Sequence, residues 1–386
     1  MKQVYLDNAA TTMTDPVVVK AMLPYLTISY GNPSSPHELG KEAQDAIENA
    51  RKIIAAKINA KPEEIIFTGS ATEADNLAVK GIAYANKSKG RHIITSKIEH
   101  KAILESCKAL EAEGFSVTYL GVSREGLVNP QDVKKAIRKD TILVSIMHAN
   151  NEIGTVQDIA AIGKLCKSAG IYFHTDAAQS FTKIPIDVRA INIDALTLSA
   201  HKIHGPKGIG ALYIKQGTKT HPIIHGGSQE SAMRAGTEHV ANIVGFAAAA
   251  NASSQQDIRK MAMLRDYFTR ELLRLPKVTI NGSKIRRLCN NINAAFHGID
   301  AETMLNHLNS RGIFASSGSA CTASELEPSH VLKAIGLSDE AANSSIRFSL
   351  SKFTTKHDID YAIALIREIV SSLRSINAVN KIYISK

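Results

Sequence analysis

The chain has 386 residues, of which 44% are hydrophobic and 21% are charged, so it is long enough for roughly two domains with a substantial core. Its net charge of +10 suits several partners, but aromatic residues make up only 5% and tryptophan is absent, which disfavours a base-stacking surface and a direct, specific nucleic-acid partner. No apolar run reaches the ~18 residues of a membrane span, and Asp7 interrupts the N-terminal stretch before a signal peptide could form, so we expect a cytoplasmic protein without membrane contacts.

Between residues 60 and 215, short β-rich runs alternate with segments of helical periodicity. The runs are EIIFT, HIITS, TILVSIMH, IYFHT and DALTLSA, and the helical stretches include 72–87, 100–113 and 157–169. This alternation is typical of βα units on a mostly parallel sheet. The next run, GIGALYIK, follows the turn GPKG too closely for a helical crossover, so it is predicted to run antiparallel to its predecessor.

Polar or small residues follow five of these runs, at the edge of the predicted sheet where ligands bind. After EIIFT, residues 69–72 form a small-residue turn into a helix start, which suits a phosphate group. The other four strand ends offer an imidazole, amides, a carboxylate and a lysine: His100, Asn150, Asn151, Asp176, Gln179, Ser199, His201 and Lys202. Each residue alone is typical of a surface or a turn, but their convergence on one sheet edge indicates a binding site.

This set of side chains suits pyridoxal phosphate. That cofactor needs a lysine for its Schiff base, a carboxylate that keeps its pyridine nitrogen protonated, a phosphate cradle and a flat group against its ring. Lys202 and Asp176 fit the first two needs, and His100 fits the last. Two histidine pairs within residues 201–225 lack an obvious third ligand, and GSATEADN is neither a dinucleotide fingerprint nor a P-loop, so metal, NAD and ATP sites are disfavoured.

A second, smaller α+β domain is predicted from about residue 251. The polar segment NASSQQD precedes a long helical stretch, then the short strands INAAF and SIRFSL, with helices at 301–311 and 356–376. In SIRFSL, the alternation of side chains places Arg347 on the face opposite the apolar residues, where it is free for a bidentate contact with a carboxylate.

The four cysteines are widely spaced, which argues against a disulfide framework and against a cysteine zinc site. Cys107, Cys166 and Cys289 lie in apolar or helix-like contexts that favour inert thiols. Cys321 lies in SSGSACTASE, and such small-residue surroundings present a reactive thiol more often than they bury one.

Nine segments along the chain form a pattern with the specificity of a family signature. They are YLDNAATT (5–12), GNPSSPH (31–37), FTGSATEADN (67–76), NNEIGTVQ (150–157), HTDAAQS (174–180), LSAHKIHGPKGIG (198–210), RAGTEHVANIVG (234–245), SSGSACTASELEPSHVL (316–332) and IRFSLSKFTT (346–355). Together they closely resemble the NifS/IscS-like cysteine desulfurases, within the class V aminotransferases of fold type I. The resemblance implies a large α/β domain over residues 16–250 with a mostly parallel seven-stranded sheet, and a small domain over residues 1–15 and 251–386.

The resemblance also implies a role for each matching residue. Lys202 would bond covalently to pyridoxal phosphate, Asp176 would pair with the ring nitrogen and Gln179 with the ring hydroxyl. His100 would stack on the ring, and Thr237 would reach the phosphate of the neighbouring subunit, which requires a homodimer. The residues that would hold the phosphate within the chain are Ala71, Thr72, Ser199 and His201. The residues that would bind the substrate carboxylate are Asn8, Asn32, Asn151 and Arg347, and Asn151 would also contact the cofactor.

The implied reaction takes sulfur from L-cysteine. Lys202 would remove the Cα proton, and the Cys321 thiolate would attack the substrate sulfur, leaving alanine and a persulfide on Cys321. His100 is the candidate base for the Cys321 proton. The acceptor of the persulfide sulfur would be an iron–sulfur scaffold or a tRNA thiolation enzyme, with cluster contact only through Cys321.

Two alternatives stay open at the level of the sequence. A selenocysteine lyase or another class V aminotransferase would share Lys202 and Asp176 but would not need Cys321. A non-catalytic sulfur-relay or RNA-associated protein would explain the positive charge but would leave Lys202 and Asp176 without a role.

Overall fold

The computed structural model describes residues 2–317 and 328–384, so Cys321 lies outside the described residues. The described strands, in chain order, are β1 Val4–Tyr5, β2 Ile65–Thr68, β3 His92–Ser96, β4 Ser116–Leu120, β5 Thr141–Ser145, β6 Tyr172–Asp176, β7 Ala195–Ser199, β8 Gly210–Ile214, β9 Val278–Ile280, β10 Asn291–Phe296, β11 Ile313–Phe314 and β12 Ser345–Ser349. The described α-helices are α1 Pro16–Met22, α2 Pro24–Thr27, α3 Glu38–Ala56, α4 Ala71–Asn86, α5 Lys101–Ala112, α6 Pro130–Ala136, α7 Ile159–Ala169, α8 Val188–Ile191, α9 Val240–Asn251, α10 Gln255–Leu273, α11 Ala301–Ser310, α12 His330–Ala334, α13 Asp339–Asn343 and α14 Lys356–Ile384.

Seven strands form one mixed sheet in the order β2-β8-β7-β6-β5-β3-β4. Neighbouring strands are parallel from β7 to β4, whereas β8 is antiparallel to both β7 and β2. Because no helix lies between β7 and β8, the chain has to return in the antiparallel direction. The predicted α/β fold with a mostly parallel sheet is therefore confirmed, including the direction of β8.

Helices cover both faces of this sheet because the central strands are buried on both sides. In β2, Ile66 packs into an apolar cluster with α4 and α5, whereas Phe67 points to the opposite face and packs with residues of α3, α7 and α9. The alternation within a single strand thus builds two helical layers. The carboxyl ends of the parallel strands lie along one edge, where the polar residues follow.

A second apolar cluster lies around the antiparallel sheet β12-β10-β9. Helices α10, α11 and α14 contribute to it, and so do Val4 and Leu6 from the start of the chain. The N-terminal strand β1 pairs in parallel with β11, so the first residues belong structurally with residues from 268 onwards. In the described part of the chain, no helix is both long enough and apolar enough to cross a membrane.

Candidate active site

The carboxyl ends of β3, β6 and β7 bring a histidine, an acid and a lysine together. Asp176, the last residue of β6, is 7% exposed, and its Oδ1 accepts a hydrogen bond from the Ala178 N–H over 2.8 Å. Burial raises the pKa of Asp176, while the Ala178 N–H and the positive charges of His100 and Lys202 act to lower it. The three side chains predicted from separate strand ends therefore lie close enough to interact electrostatically.

Lys202 lies in the turn after β7 and reaches the N-terminal segment of the chain. Its Nζ donates to the Ala9 carbonyl over 2.7 Å and to the Ala10 carbonyl over 2.6 Å. Gln179 Nε2 donates to the same Ala9 carbonyl over 2.9 Å. The backbone at residues 9 and 10 thus holds the two side chains side by side.

A second lysine, Lys183, binds the backbone of the same two residues, Gln179 and Lys202. Its Nζ donates to the backbone carbonyls of Gln179 over 2.9 Å and Lys202 over 3.1 Å. Burial lowers the pKa of Lys183 to about 8. The sequence did not indicate Lys183, because a lysine that does not follow a predicted strand is expected at the protein surface.

An anion cradle forms where the start of α4 meets β7 and β8. Ser70 caps α4, its Oγ accepting from the Glu73 N–H over 3.1 Å, so that Ala71 and Thr72 lie in the first turn. The β8 backbone approaches so closely that a Cβ on Gly210 would lie 2.6 Å from the Ser70 carbonyl carbon, and only glycine fits there. Ser199 Oγ is buried there and has no hydrogen-bond partner among the described residues, and a bound phosphate would supply one.

Two of the predicted histidines, His100 and His201, follow β3 and β7 at the same edge of the sheet. His201 Nδ1 is 3.1 Å from Thr11 Oγ1, and burial lowers the pKa of His201 to about 4. His100 caps α5, and its Nδ1 accepts from the Ala102 N–H over 3.2 Å. The neutral His100 ring therefore carries its proton on Nε2, and burial lowers its pKa.

Arg347 lies on β12 with its guanidinium buried and already hydrogen-bonded. The residue is 2% exposed; Nη2 donates to Asp7 Oδ1 over 2.8 Å, and Nη1 donates to the Asn151 carbonyl over 3.1 Å. In the part of the chain that the structure describes, the buried Arg347 Nε has no hydrogen-bond partner. The prediction that the Arg347 guanidinium is free for a carboxylate is thus wrong in one respect, because Asp7 already accepts one of its hydrogen bonds.

The asparagines predicted with Arg347 occupy different settings. Asn8 is buried, and its Nδ2 donates to the Ser349 carbonyl at the end of β12 over 2.8 Å. Asn151 is half-buried beside Arg347. Asn32 is exposed, and its Oδ1 accepts locally from the Ser34 N–H over 2.9 Å. The structure therefore brings Asn8 and Asn151 to β12, whereas the Asn32 side chain bonds locally to the Ser34 backbone.

Thr237 and the cysteines complete the set of predicted residues. Thr237 is exposed in the loop before α9, as a residue that serves a neighbouring subunit would be. Cys321 cannot be compared because it lies outside the described residues. Cys107, Cys166 and Cys289 are buried, and burial raises the pKa of Cys107 and of Cys166 to about 12, so they are poor nucleophiles.

Two buried acids near Asp176 were not identified from the sequence. Asp75 is 1% exposed in α4; burial raises its pKa well above the usual range, and the charges of Asp176 and Glu99 raise it further. Burial raises the pKa of Glu99 to about 8, although its carboxylate accepts from Ser96 Oγ over 2.5 Å. The available signal was the position of Asp75 on the apolar face of α4, between Ala74 and Leu77.

These features fit pyridoxal phosphate. The edge of the sheet offers an amine at Lys202, a buried carboxylate at Asp176 and the start of α4. The hydroxyl next to that helix start, Ser199 Oγ, has no hydrogen-bond partner among the described residues. The helix start suits the phosphate of the cofactor, the carboxylate suits its basic ring nitrogen, and the amine suits its aldehyde carbon.

The comparisons with known proteins agree with this chemistry. The sequence profile of the family "Aminotransferase class-V" matches residues 4–362. A relative from Dictyoglomus turgidum, "Cysteine desulfurase IscS", is 52% identical over 380 residues, which cover 97% of this chain and 96% of that protein. A solved "NIFS-LIKE PROTEIN" superposes with a TM-score of 0.90 at 38% identity, covering 96% of this chain and all (100%) of the other. The solved "SspA in complex with cysteine" superposes with a TM-score of 0.83 at 41% identity, covering 92% of this chain and 100% of that chain.

Proposed function

Because the chain belongs to the aminotransferase class-V family and is a cysteine desulfurase, we propose that it binds pyridoxal phosphate at the edge of the large sheet and transfers the sulfur of L-cysteine to Cys321. The observation that carries the proposal is the convergence of Lys202, Asp176 and His100 on that edge. A similar protein solved in complex with cysteine supports this substrate. We place the reaction in the cytoplasm, where thiols stay reduced.

The chain supplies a side chain for each part of the cofactor. Lys202 would hold the aldehyde carbon, Asp176 the ring nitrogen and Gln179 the ring hydroxyl. The residues that would hold the phosphate are Ala71, Thr72, Ser199 and His201, with Thr237 from the neighbouring subunit. When bound, pyridoxal phosphate withdraws electrons from the substrate Cα and so makes its proton removable.

The side chains around the substrate would orient it and move its protons. Arg347 and Asn151, with Asn8 and Asn32, would bind the carboxylate, and Lys202 Nζ would accept the Cα proton. Since His100 Nδ1 accepts from a backbone N–H, the geometry favours His100 as a proton donor at Nε2. To accept the Cys321 proton at Nδ1, His100 would first have to release this hydrogen bond.

The sulfur step balances with one protein thiol. A sulfur–sulfur bond forms between Cys321 Sγ and the substrate sulfur, the substrate carbon–sulfur bond breaks, and the carbon takes a proton to become the methyl group of L-alanine. The products are L-alanine and a Cys321 persulfide. An acceptor protein that serves iron–sulfur cluster assembly or tRNA thiolation would then take the outer sulfur.

An apolar surface near the N-terminus supports the proposed homodimer. Large apolar side chains of residues 13–30 are exposed, at 63% for Val17, 60% for Leu26, 71% for Ile28 and 69% for Tyr30. A monomer rarely leaves so many apolar side chains together in water, whereas a second copy of the chain would bury them. The dimer would also bring Thr237 of one subunit to the phosphate of the other.

The proposal is tested by Cys321→Ser with Cys289→Ser as its matched control. Serine is close to cysteine in size but is a far poorer nucleophile, so Cys321→Ser should bind cofactor and L-cysteine, judged from absorption spectra, and make almost no alanine. Mass spectrometry should find the persulfide on the Cys321 peptide of the wild type and of Cys289→Ser. Full alanine production by Cys321→Ser would instead indicate a lyase that expels sulfur without a protein nucleophile.

A further inference from the structure

The loop of residues 228–239, which carries Thr237, is held by a buried ion pair to α3 and by a backbone hydrogen bond from β2. Arg51 Nη1 and Nη2 bond to the two carboxylate oxygens of Glu230 over 2.7 and 2.8 Å. Glu230 Oε2 also accepts from the Phe67 N–H of β2 over 2.7 Å. Arg51 and Glu230 are each 8% exposed, so the pair anchors the loop where water has little access.

The backbone of this loop is held in a conformation that it would not adopt freely. Glu230, Ser231 and Ala232 have φ angles of 46°, 56° and 60°, and none of them is glycine. Three successive non-glycine residues in the left-handed region cost free energy, and they persist only where surrounding contacts determine the conformation. The contacts of Glu230 therefore set the path along which the chain reaches Thr237.

A second ion pair joins the same loop to the cradle of its own chain. Arg234 Nε lies 2.9 Å from Glu73 Oε1. The other oxygen of Glu73 accepts from the Gly69 N–H over 2.9 Å, and the Glu73 N–H donates to Ser70 Oγ. Glu73 follows Thr72 directly in the first turn of α4. Arg234 thus contacts the carboxylate that shapes the turn into the predicted phosphate site.

A phosphate at this cradle would strengthen the Arg234 contact. It would add negative charge beside the Glu73 carboxylate, and two neighbouring negative groups attract the Arg234 guanidinium more strongly than one. By linkage, a docked Arg234 favours phosphate binding by the same amount. Docking of Arg234 also fixes the loop three residues before Thr237.

We propose that Arg234 and Glu73 are positioning residues that couple the two cofactor sites of the dimer. The inference rests on the proposed function, in which Thr237 completes the phosphate site of the partner. Phosphate bound in one subunit strengthens the contact between Arg234 and Glu73, which holds the loop more firmly and presents Thr237 to the other subunit. The second pyridoxal phosphate should then bind more tightly than the first.

The test is a titration of the cofactor-free dimer with pyridoxal phosphate, followed by calorimetry and absorbance. The second site of the wild type should bind at least about 5-fold more tightly than the first. In Glu73→Gln, which keeps an acceptor for the Gly69 N–H, and in Arg234→Gln, the two sites should bind independently. Arg234→Lys keeps the charge and should restore part of the difference. Glu105→Gln, which removes one partner of the exposed Lys108 pair, is the control and should titrate like the wild type.

The outcomes separate the coupling from the proposed function. Independent sites in the wild type, or unchanged cooperativity in Glu73→Gln, would overturn the coupling. Thr237→Ala tests the shared site itself and should weaken binding at both sites. If Thr237→Ala binds the cofactor like the wild type, the shared phosphate site is wrong. If it binds weakly while Glu73→Gln keeps its cooperativity, only the coupling is wrong.

Discussion

Replacing Glu152 by glutamine should stabilise the protein at alkaline pH, relative to the wild type, but not at acidic pH. Glu152 is 4% exposed, and its Oε2 accepts from Ser329 Oγ over 2.5 Å. Burial raises the pKa of the Glu152 carboxyl group to about 7, although the Ser329 hydrogen bond and the charges of Arg347 and Lys101 act to lower it. The side chain is therefore more readily protonated in the folded protein than in the unfolded chain.

The sign and size of the effect follow from this difference. With a pKa of 4.5 in the unfolded chain and about 7 in the folded protein, the carboxyl group costs no stability below the unfolded value, and stability is lost as the pH rises through the folded value. At 1.36 kcal/mol for each pKa unit, the loss approaches about 3 kcal/mol at pH 8 and is about 1 kcal/mol at pH 5. Glutamine does not ionise, and its amide oxygen still accepts from Ser329.

The assay is urea denaturation of the wild type and of Glu152→Gln at pH 5, 6, 7 and 8. The difference in free energy of unfolding between the two proteins should grow in favour of the variant by about 2 kcal/mol across this range. Glu125→Gln changes an exposed side chain and should follow the wild type at every pH. A difference for Glu152→Gln that stays constant with pH would refute the raised pKa.

Two further substitutions test contacts around the site. Lys183→Met removes the two hydrogen bonds from an ammonium group to the backbone of Gln179 and Lys202, so pyridoxal phosphate should bind about 10-fold more weakly, and binding as tight as in the wild type would contradict the support role. Arg51→Met leaves the Glu230 carboxylate buried without its partner and should lower the free energy of unfolding by about 3–5 kcal/mol. The control is Arg138→Met at an exposed ion pair, and equal losses for both variants would argue against the buried anchor.

The sheet could be predicted from the sequence because its signals are local. The alternation of strand and helix patterns indicates a parallel sheet, and the short GPKG turn determines the direction of β8. The edge strand β4, Ser116–Leu120, was not among the predicted runs, since most of its residues are only half-buried and its apolar pattern is weak. The order of the strands in the sheet cannot be predicted from local sequence either. Each strand could form its backbone hydrogen bonds equally well next to several of the other strands.

The site was predictable wherever a residue follows a strand, and less so where two distant segments meet. Asp176 is the last residue of β6 and Lys202 follows β7, and adjacent parallel strands bring their ends together. The contact between Asp7 and Arg347 joins residues 340 positions apart, and no periodicity in either segment indicates it. The same holds for the Ala9 carbonyl that accepts from Lys202, since backbone acceptors have no signature in the side-chain sequence.

The buried acids explain how the proposed site would favour a protonated ring nitrogen. Burial raises the pKa of Asp75, Glu99 and Asp176, and the Asp176 charge raises the pKa of Asp75 and of Glu99 further, so all three cannot be ionised together at low cost. Burial raises the pKa of Glu99 to about 8 and that of Asp75 well above its usual range, whereas the Ala178 N–H and the charges of His100 and Lys202 act to lower the pKa of Asp176. Of the three acids, Asp176 at the edge of the sheet is therefore the one whose ionised form has neighbouring positive charges to stabilise it. A buried carboxylate gains most from a cation placed directly against it, and a pyridine nitrogen bound there would be held in its protonated form.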